Sequence, residues 1–134
     1  MNMKANLTPY IVSTDARAQA EFYIQALGGE IQSVMTHSEL PGAAEEIKDK
    51  VMHMVLSVAG ENVLFLSDAF GPVGTEGSIA FGLNFGDVDM ARQAFANLAE
   101  GGTVIYSLEL QPWGAHYGEV VDKFGIKWMI VQQG

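Results

Sequence analysis

Apolar and polar positions run through the same cycle twice along this chain. The apolar run Leu7 to Val12 leads to Asp15, then to a stretch with apolar residues at Ala18, Phe22 and Ala26, about one per helical turn. The second cycle has the run Ile79 to Phe85, then Asp87, then Ala91, Phe95 and Ala99. Both stretches end in a glycine pair, Gly28-Gly29 and Gly101-Gly102, and from Ala18 onwards the matched residues keep one constant spacing, with Ile31 falling on Val104. Asp15 and Asp87 are suited to N-capping, because a short carboxylate accepts from the free N–H groups of a first helical turn. A glycine after the last turn takes the left-handed conformation at little cost.

After each glycine pair the period changes. Glu30 to His37 and Thr103 to Leu110 read as strands with β-branched residues. Val51 to Val58 and Val63 to Leu66 flank Ala59-Gly60-Glu61-Asn62 and predict a hairpin; Tyr117 to Val121 and Lys127 to Val131 repeat it around Asp122-Lys123-Phe124-Gly125. Each half therefore reads strand, helix, strand, strand, strand. The expectation is an α+β chain of two tandem βαβββ modules, about 4–68 and about 79–134, within a single domain 1–134. Leu40 to Lys50 is polar and reads as a flap or short helix, and Ala69 to Ser78 as the linker between modules.

With 134 residues, nearly half of them apolar, the chain is long enough to bury a core. Its formal charge of −9 with only seven Lys and Arg argues against nucleic acid and against an anionic membrane surface, and would favour a cationic ligand. The lack of cysteine removes disulfides, thiolate metal sites and cysteine nucleophiles. No signal-peptide pattern follows Met1 and no apolar run approaches a bilayer-spanning length, so a cytoplasmic location is expected.

Asp15, Glu21-Phe22-Tyr23 and Leu27-Gly28-Gly29, set in paired βαβββ modules, resemble the glyoxalase, bleomycin-resistance and dioxygenase (vicinal-oxygen-chelate) superfamily. Trp113-Gly114, Tyr117-Gly118, Val120, Asp122, Phe124-Gly125 and Trp128 resemble the W-G-x-x-Y-G-x-V-x-D-x-F-G-x-x-W run of its PhnB-like branch. So do Met52-His53 and Ser67-Asp68-Ala69, while Lys123 stands where many relatives have proline. That branch is often labelled 3-demethylubiquinone-9 3-methyltransferase. The residues do not support the label: there is no glycine-rich strand-to-helix turn for a methyl donor, and both glycine pairs end helices.

The resemblance implies eight strands forming a U-shaped mixed sheet around a cleft, and a homodimer. It also implies a divalent ion held by four strand residues, which transfer to Thr8, about Leu64, about Ala80 and about Met129. These bring no useful set of donors, so neither metal nor cofactor is expected. His37, His53 and His116 show no ligand spacing. Candidates to line the cleft are Tyr10, His53, Phe65, Trp113, His116 and Tyr117, with core the first reading for Phe65 as for Trp128. Two functions stay open. One is a metal-independent small-molecule-binding protein that sequesters an apolar or cationic compound. The other is an enzyme of glyoxalase or dioxygenase type, metal-dependent at a displaced site or using His53 or His116 as acid or base.

Overall fold

The computed structural model describes residues 3–4, 6–74 and 79–133. The chain divides into two compact units, Met1–Val73 and Gly74–Gly134, each one helix packed on a four-stranded mixed sheet. The first unit holds β1 (Tyr10–Ser13), α1 (Ala16–Leu27), β2 (Gly29–Thr36), β3 (Val51–Val58) and β4 (Asn62–Asp68), in sheet order β1-β4-β3-β2. The second holds β5 (Phe81–Phe85), α2 (Val88–Ala99), β6 (Thr103–Leu110), β7 (His116–Val121) and β8 (Lys127–Gln132), in sheet order β5-β8-β7-β6. The first strand of each unit pairs parallel with the fourth, and the other pairs are antiparallel. The α+β expectation and the repeated element order hold. Part of the expected linker, residues 75–78, lies outside the described residues.

Both helices start as the sequence predicts. Asp15 accepts from the Ala18 N–H at 3.1 Å and Asp87 from that of Asp89 at 3.1 Å. The α2 stripe is buried through Ala91, Ala94, Phe95 and Leu98, in line with Ala91 and Phe95. In α1 the expected stripe Ala18, Phe22 and Ala26 is not the buried one: the residues fully inside are Ala16, Gln19, Ala20 and Tyr23. The reason is a polar pair at helical spacing. Gln19 Nε2 donates to Tyr23 Oη at 2.8 Å, which satisfies both groups without water and lets two polar side chains enter the core.

The glycine pairs do two jobs. Gly28 caps α1 with φ 76° and donates to the Ile24 carbonyl. Gly29 and Gly102 each lie so close to the neighbouring strand that an added Cβ would run into a backbone carbonyl oxygen, Ser57 in one unit and Val121 in the other. The β3–β4 hairpin turns through Ala59 and Gly60, both at positive φ, the conformation that matches strand twist in tight hairpins. A 3₁₀ turn (His37–Glu39) comes just before the expected flap, Leu40 to Lys50, which is irregular. The far end of the flap is tied back to that turn by bonds from the N–H of His37 to the Lys50 carbonyl and from that of Ser38 to the Lys48 carbonyl.

The last residues of β4 and β8 have matching tasks. Asp68 accepts from the N–H of Ala16 and of Val51, each at 2.7 Å, joining the start of α1 to the start of β3. The position matched to it by strand register is Gln132. Its amide donates to the Gly86 carbonyl at 3.2 Å, and its oxygen lies 3.1 Å from His116 Nδ1.

Candidate functional site

Strand pairing fixes which side chains share a face, because alternate residues point to opposite sides of a sheet. In the first unit Ile11, Met54, Leu56, Leu64 and Leu66 form the buried side. The face turned away from α1 carries a row Tyr10, Phe65, Val55, Ser33, read strand by strand in register. A second row runs Val12, Ser67, His53, Met35, with His53 facing Ser67 one step beyond the Met54–Leu66 pair. Three rings meet here. His53 lies 4.8 Å from Phe65 and 5.8 Å from Tyr10 between ring centroids, and Tyr10 lies 6.2 Å from Phe65. Tyr10 is about half exposed, and Phe65 and His53 are half-buried, so the cluster offers ring surface to a visitor.

In the second unit the equivalent rows are Gly82, Met129, Glu119, Tyr106 and Asn84, Val131, Tyr117, Glu109. Tyr117 thus stands where the first sheet has His53. Its hydroxyl donates to Glu119 Oε2 at 2.6 Å. Burial, then the hydrogen bond and charge of Glu119, then Tyr106, push the Tyr117 phenol from 10.0 up to about 12. The phenol is therefore a fixed donor at neutral pH. Following tyrosinate absorbance through an alkaline titration should show one tyrosine with a midpoint near 12, and Glu119→Gln should lower that midpoint. An unmoved midpoint would mean that burial acts alone. The contribution of Tyr117 to stability is full below 10.0 and declines as pH rises towards about 12, where the folded form also ionises.

The sequence candidates divide into three groups. Tyr10, His53 and Phe65 are brought together on one face, and Tyr117 occupies the matching place in the other unit. His116 is not on that face. Register puts it on the α2 side beside Gln132, because it is separated by one residue from Gly118, whose missing side chain faces Phe95. Trp113 is 68% exposed in the turn between β6 and β7. Trp128 is core at 2% exposure and donates its indole N–H to Asp122 at 2.9 Å. His37 sits outside the sheets with its ring 5.4 Å from Phe70. Sequence reasoning missed Tyr106, Glu109 and Glu119 as neighbours of Tyr117. The i,i+2 spacing of Tyr117 and Glu119 was the one available signal; the other two become neighbours only across the β6–β7 ladder.

The sequence model of the Glyoxalase/Bleomycin resistance protein/Dioxygenase superfamily matches residues 7–130. This chain belongs to that superfamily. Among solved structures, protein PA1353 from Pseudomonas aeruginosa is 32% identical, covers 97% of this chain and 98% of its own, and superposes with a TM-score of 0.83. A Bacillus cereus PhnB protein, carrying the 3-demethylubiquinone-9 3-methyltransferase label, is 16% identical, with 96% and 100% coverage and a TM-score of 0.79. A bleomycin-binding protein solved with bleomycin is 22% identical, with 98% and 100% coverage and a TM-score of 0.59. The last two share the fold.

Side-chain direction bears on the superfamily's metal positions. Leu64 points to the buried side, so the transferred β4 position falls one residue away, on Phe65. Thr8 and Ala80 precede β1 and β5, and Met129 lies on the face turned from α2. Tyr10, Phe65, Gly82 and Met129 then share that face in their own units, and they do not form a donor set for a divalent ion. Among the described residues no group of three or more His, Asp or Glu is placed to hold a metal. No helix among them is long and apolar enough to cross a membrane.

Proposed function

We propose that this protein binds a small organic molecule without a metal ion, holding a ring of that ligand on the first sheet against Tyr10, His53 and Phe65. The observation that carries this reading is the three-ring cluster, in which register does not require the rings of Tyr10 and Phe65, since the matching second-sheet positions are Gly82 and Met129. Rings stacked edge-on or tilted offer both π faces and C–H edges, and each ring contact is worth about 0.5–1.5 kcal/mol beyond area burial. The bleomycin-binding relative shows that a protein of this fold holds a small molecule. A binding role is favoured over catalysis at His53, because that imidazole is flanked by rings and no carboxylate lies within ion-pair distance of it among the described residues. Pairing of two chains, by resemblance, and a cytoplasmic location, from the sequence pattern, belong to the same proposal.

A neutral fluorescent aromatic, N-phenyl-1-naphthylamine, tests the ring face without involving charge. Titrated into chelator-treated protein, it should bind, and Tyr10→Ala or Phe65→Ala should each weaken it by roughly tenfold, the equivalent of ~1.4 kcal/mol. His53→Ala should weaken it by a similar factor. Undiminished affinity in all three variants would remove the ligand from this face.

A further inference from the structure

We propose that the α2-distal face of the second sheet carries a site for an organic ammonium group, built from Glu119, Tyr117 and Tyr106 with Glu109 beside them. This rests on the reading that these sheet faces bind small molecules, and it names the chemistry that the second one selects. The decisive observation is a comparison within the molecule. The first sheet has Val55 where the second has Glu119, Ser33 where it has Tyr106, and Met35 where it has Glu109. The strand architecture therefore accepts valine at the position of Glu119, and packing does not call for a carboxylate there.

Glu119 is half-buried, with Met129 opposite it on β8 and Tyr106 opposite it on β6. Its hydrogen-bond partner is the Tyr117 hydroxyl, which holds Oε2 and leaves Oε1 open. Among the described residues no Lys, Arg or His forms an ion pair with Glu119 or Glu109, and Lys127, on the same face, pairs with neither. A partly desolvated charge without a counter-charge is costly, and an incoming cation would remove that cost. Tyr106 is exposed, and its ring stands directly across the ladder from the carboxylate, while Glu109 stands across from Tyr117. Carboxylate oxygen and phenol faces together are the surroundings an alkylammonium prefers, since its charge is spread over C–H groups that rest on aromatic rings. Beyond Met129 the row ends at Gly82, where an added Cβ would meet no atom within 4 Å, so the ligand has room. A divalent metal fits less well, because it wants several charged oxygens at once and no group of three His, Asp or Glu is assembled among the described residues.

The test uses choline and its uncharged isostere 3,3-dimethylbutan-1-ol, titrated into the full chain and followed by calorimetry and by tyrosine NMR resonances. Choline should bind, and the alcohol at least about tenfold more weakly, because only the charge differs. Glu119→Gln and the surface change Tyr106→Ala should each reduce choline affinity by about tenfold, while His53→Ala should leave it unchanged. N-phenyl-1-naphthylamine binding should survive Glu119→Gln, which separates this site from the ring face of the first sheet. Absence of choline binding at about 50 mM, equal binding of the alcohol, or full affinity in folded Glu119→Gln would overturn the proposal.

Discussion

Asp122→Ala should lower stability by about 3–5 kcal/mol, the largest loss expected from one substitution in this chain. Asp122 is 3% exposed, and its two oxygens accept from at least three donors. Oδ1 accepts from the backbone N–H of Phe124 at 2.9 Å and of Ile126 at 3.0 Å, while Oδ2 accepts from the Trp128 indole at 2.9 Å. Removing the carboxylate strips acceptors from donors inside the protein, and water cannot replace them without opening the β7–β8 turn. It also frees Trp128, whose ring packs edge-on against Phe81 at 5.2 Å and joins β8 to β5. Asp122→Asn keeps one oxygen for the two backbone donors but turns an NH2 group towards the indole, so its loss should be roughly half as large. Urea melts followed by Trp fluorescence would show both. A change below about 1 kcal/mol for the alanine variant would mean that the turn holds without the carboxylate.

Gly102→Ala should cost about 2–4 kcal/mol for a purely steric reason. The methyl group would be driven into the Val121 carbonyl and the Asp122 backbone, and no flexible side chain is available to move aside. Gly29→Ala meets the same obstacle at Ser57, with added strain because its φ is 139°. Gly82→Ala is the control. Its methyl would meet nothing within 4 Å, so the change should stay within about 0.5 kcal/mol. Thermal melts of Gly102→Ala and Gly82→Ala that coincide would show that β6 can shift to admit a side chain.

Much of the fold was legible because its signals are local. The capping aspartates, the glycine pairs and the hairpin turns each set their own surroundings, and strand limits fell within a few residues of those seen. The failures came from facing. A strand reverses its side chains at every residue, so a slip of one places Leu64 on the wrong side. The same uncertainty put His116 in the cleft rather than beside Gln132. In α1 the apolar letters misled because Gln19 and Tyr23 satisfy each other inside the core. The PhnB-like run is informative mostly about scaffold: Gly118 admits Phe95 and Leu108, Val120 is buried, Asp122 ties the turn and Trp128 packs beneath it. Of its residues, Tyr117 alone stands on a candidate binding face. Tyr106 and Glu109 could not be found by spacing, because β6 has register shifts between Val104 and Tyr106 and again between Tyr106 and Glu109.

On the proposed function, the ring cluster of the first sheet receives a ligand without the help of a metal. The measurement that tests it most directly is an NMR titration of chelator-treated protein with N-phenyl-1-naphthylamine, observing the aromatic and imidazole resonances. Tyr10, His53 and Phe65 should shift together and saturate together, and added divalent ions should change nothing. Shifts confined to other residues, or binding that appears only when a divalent ion is supplied, would contradict it.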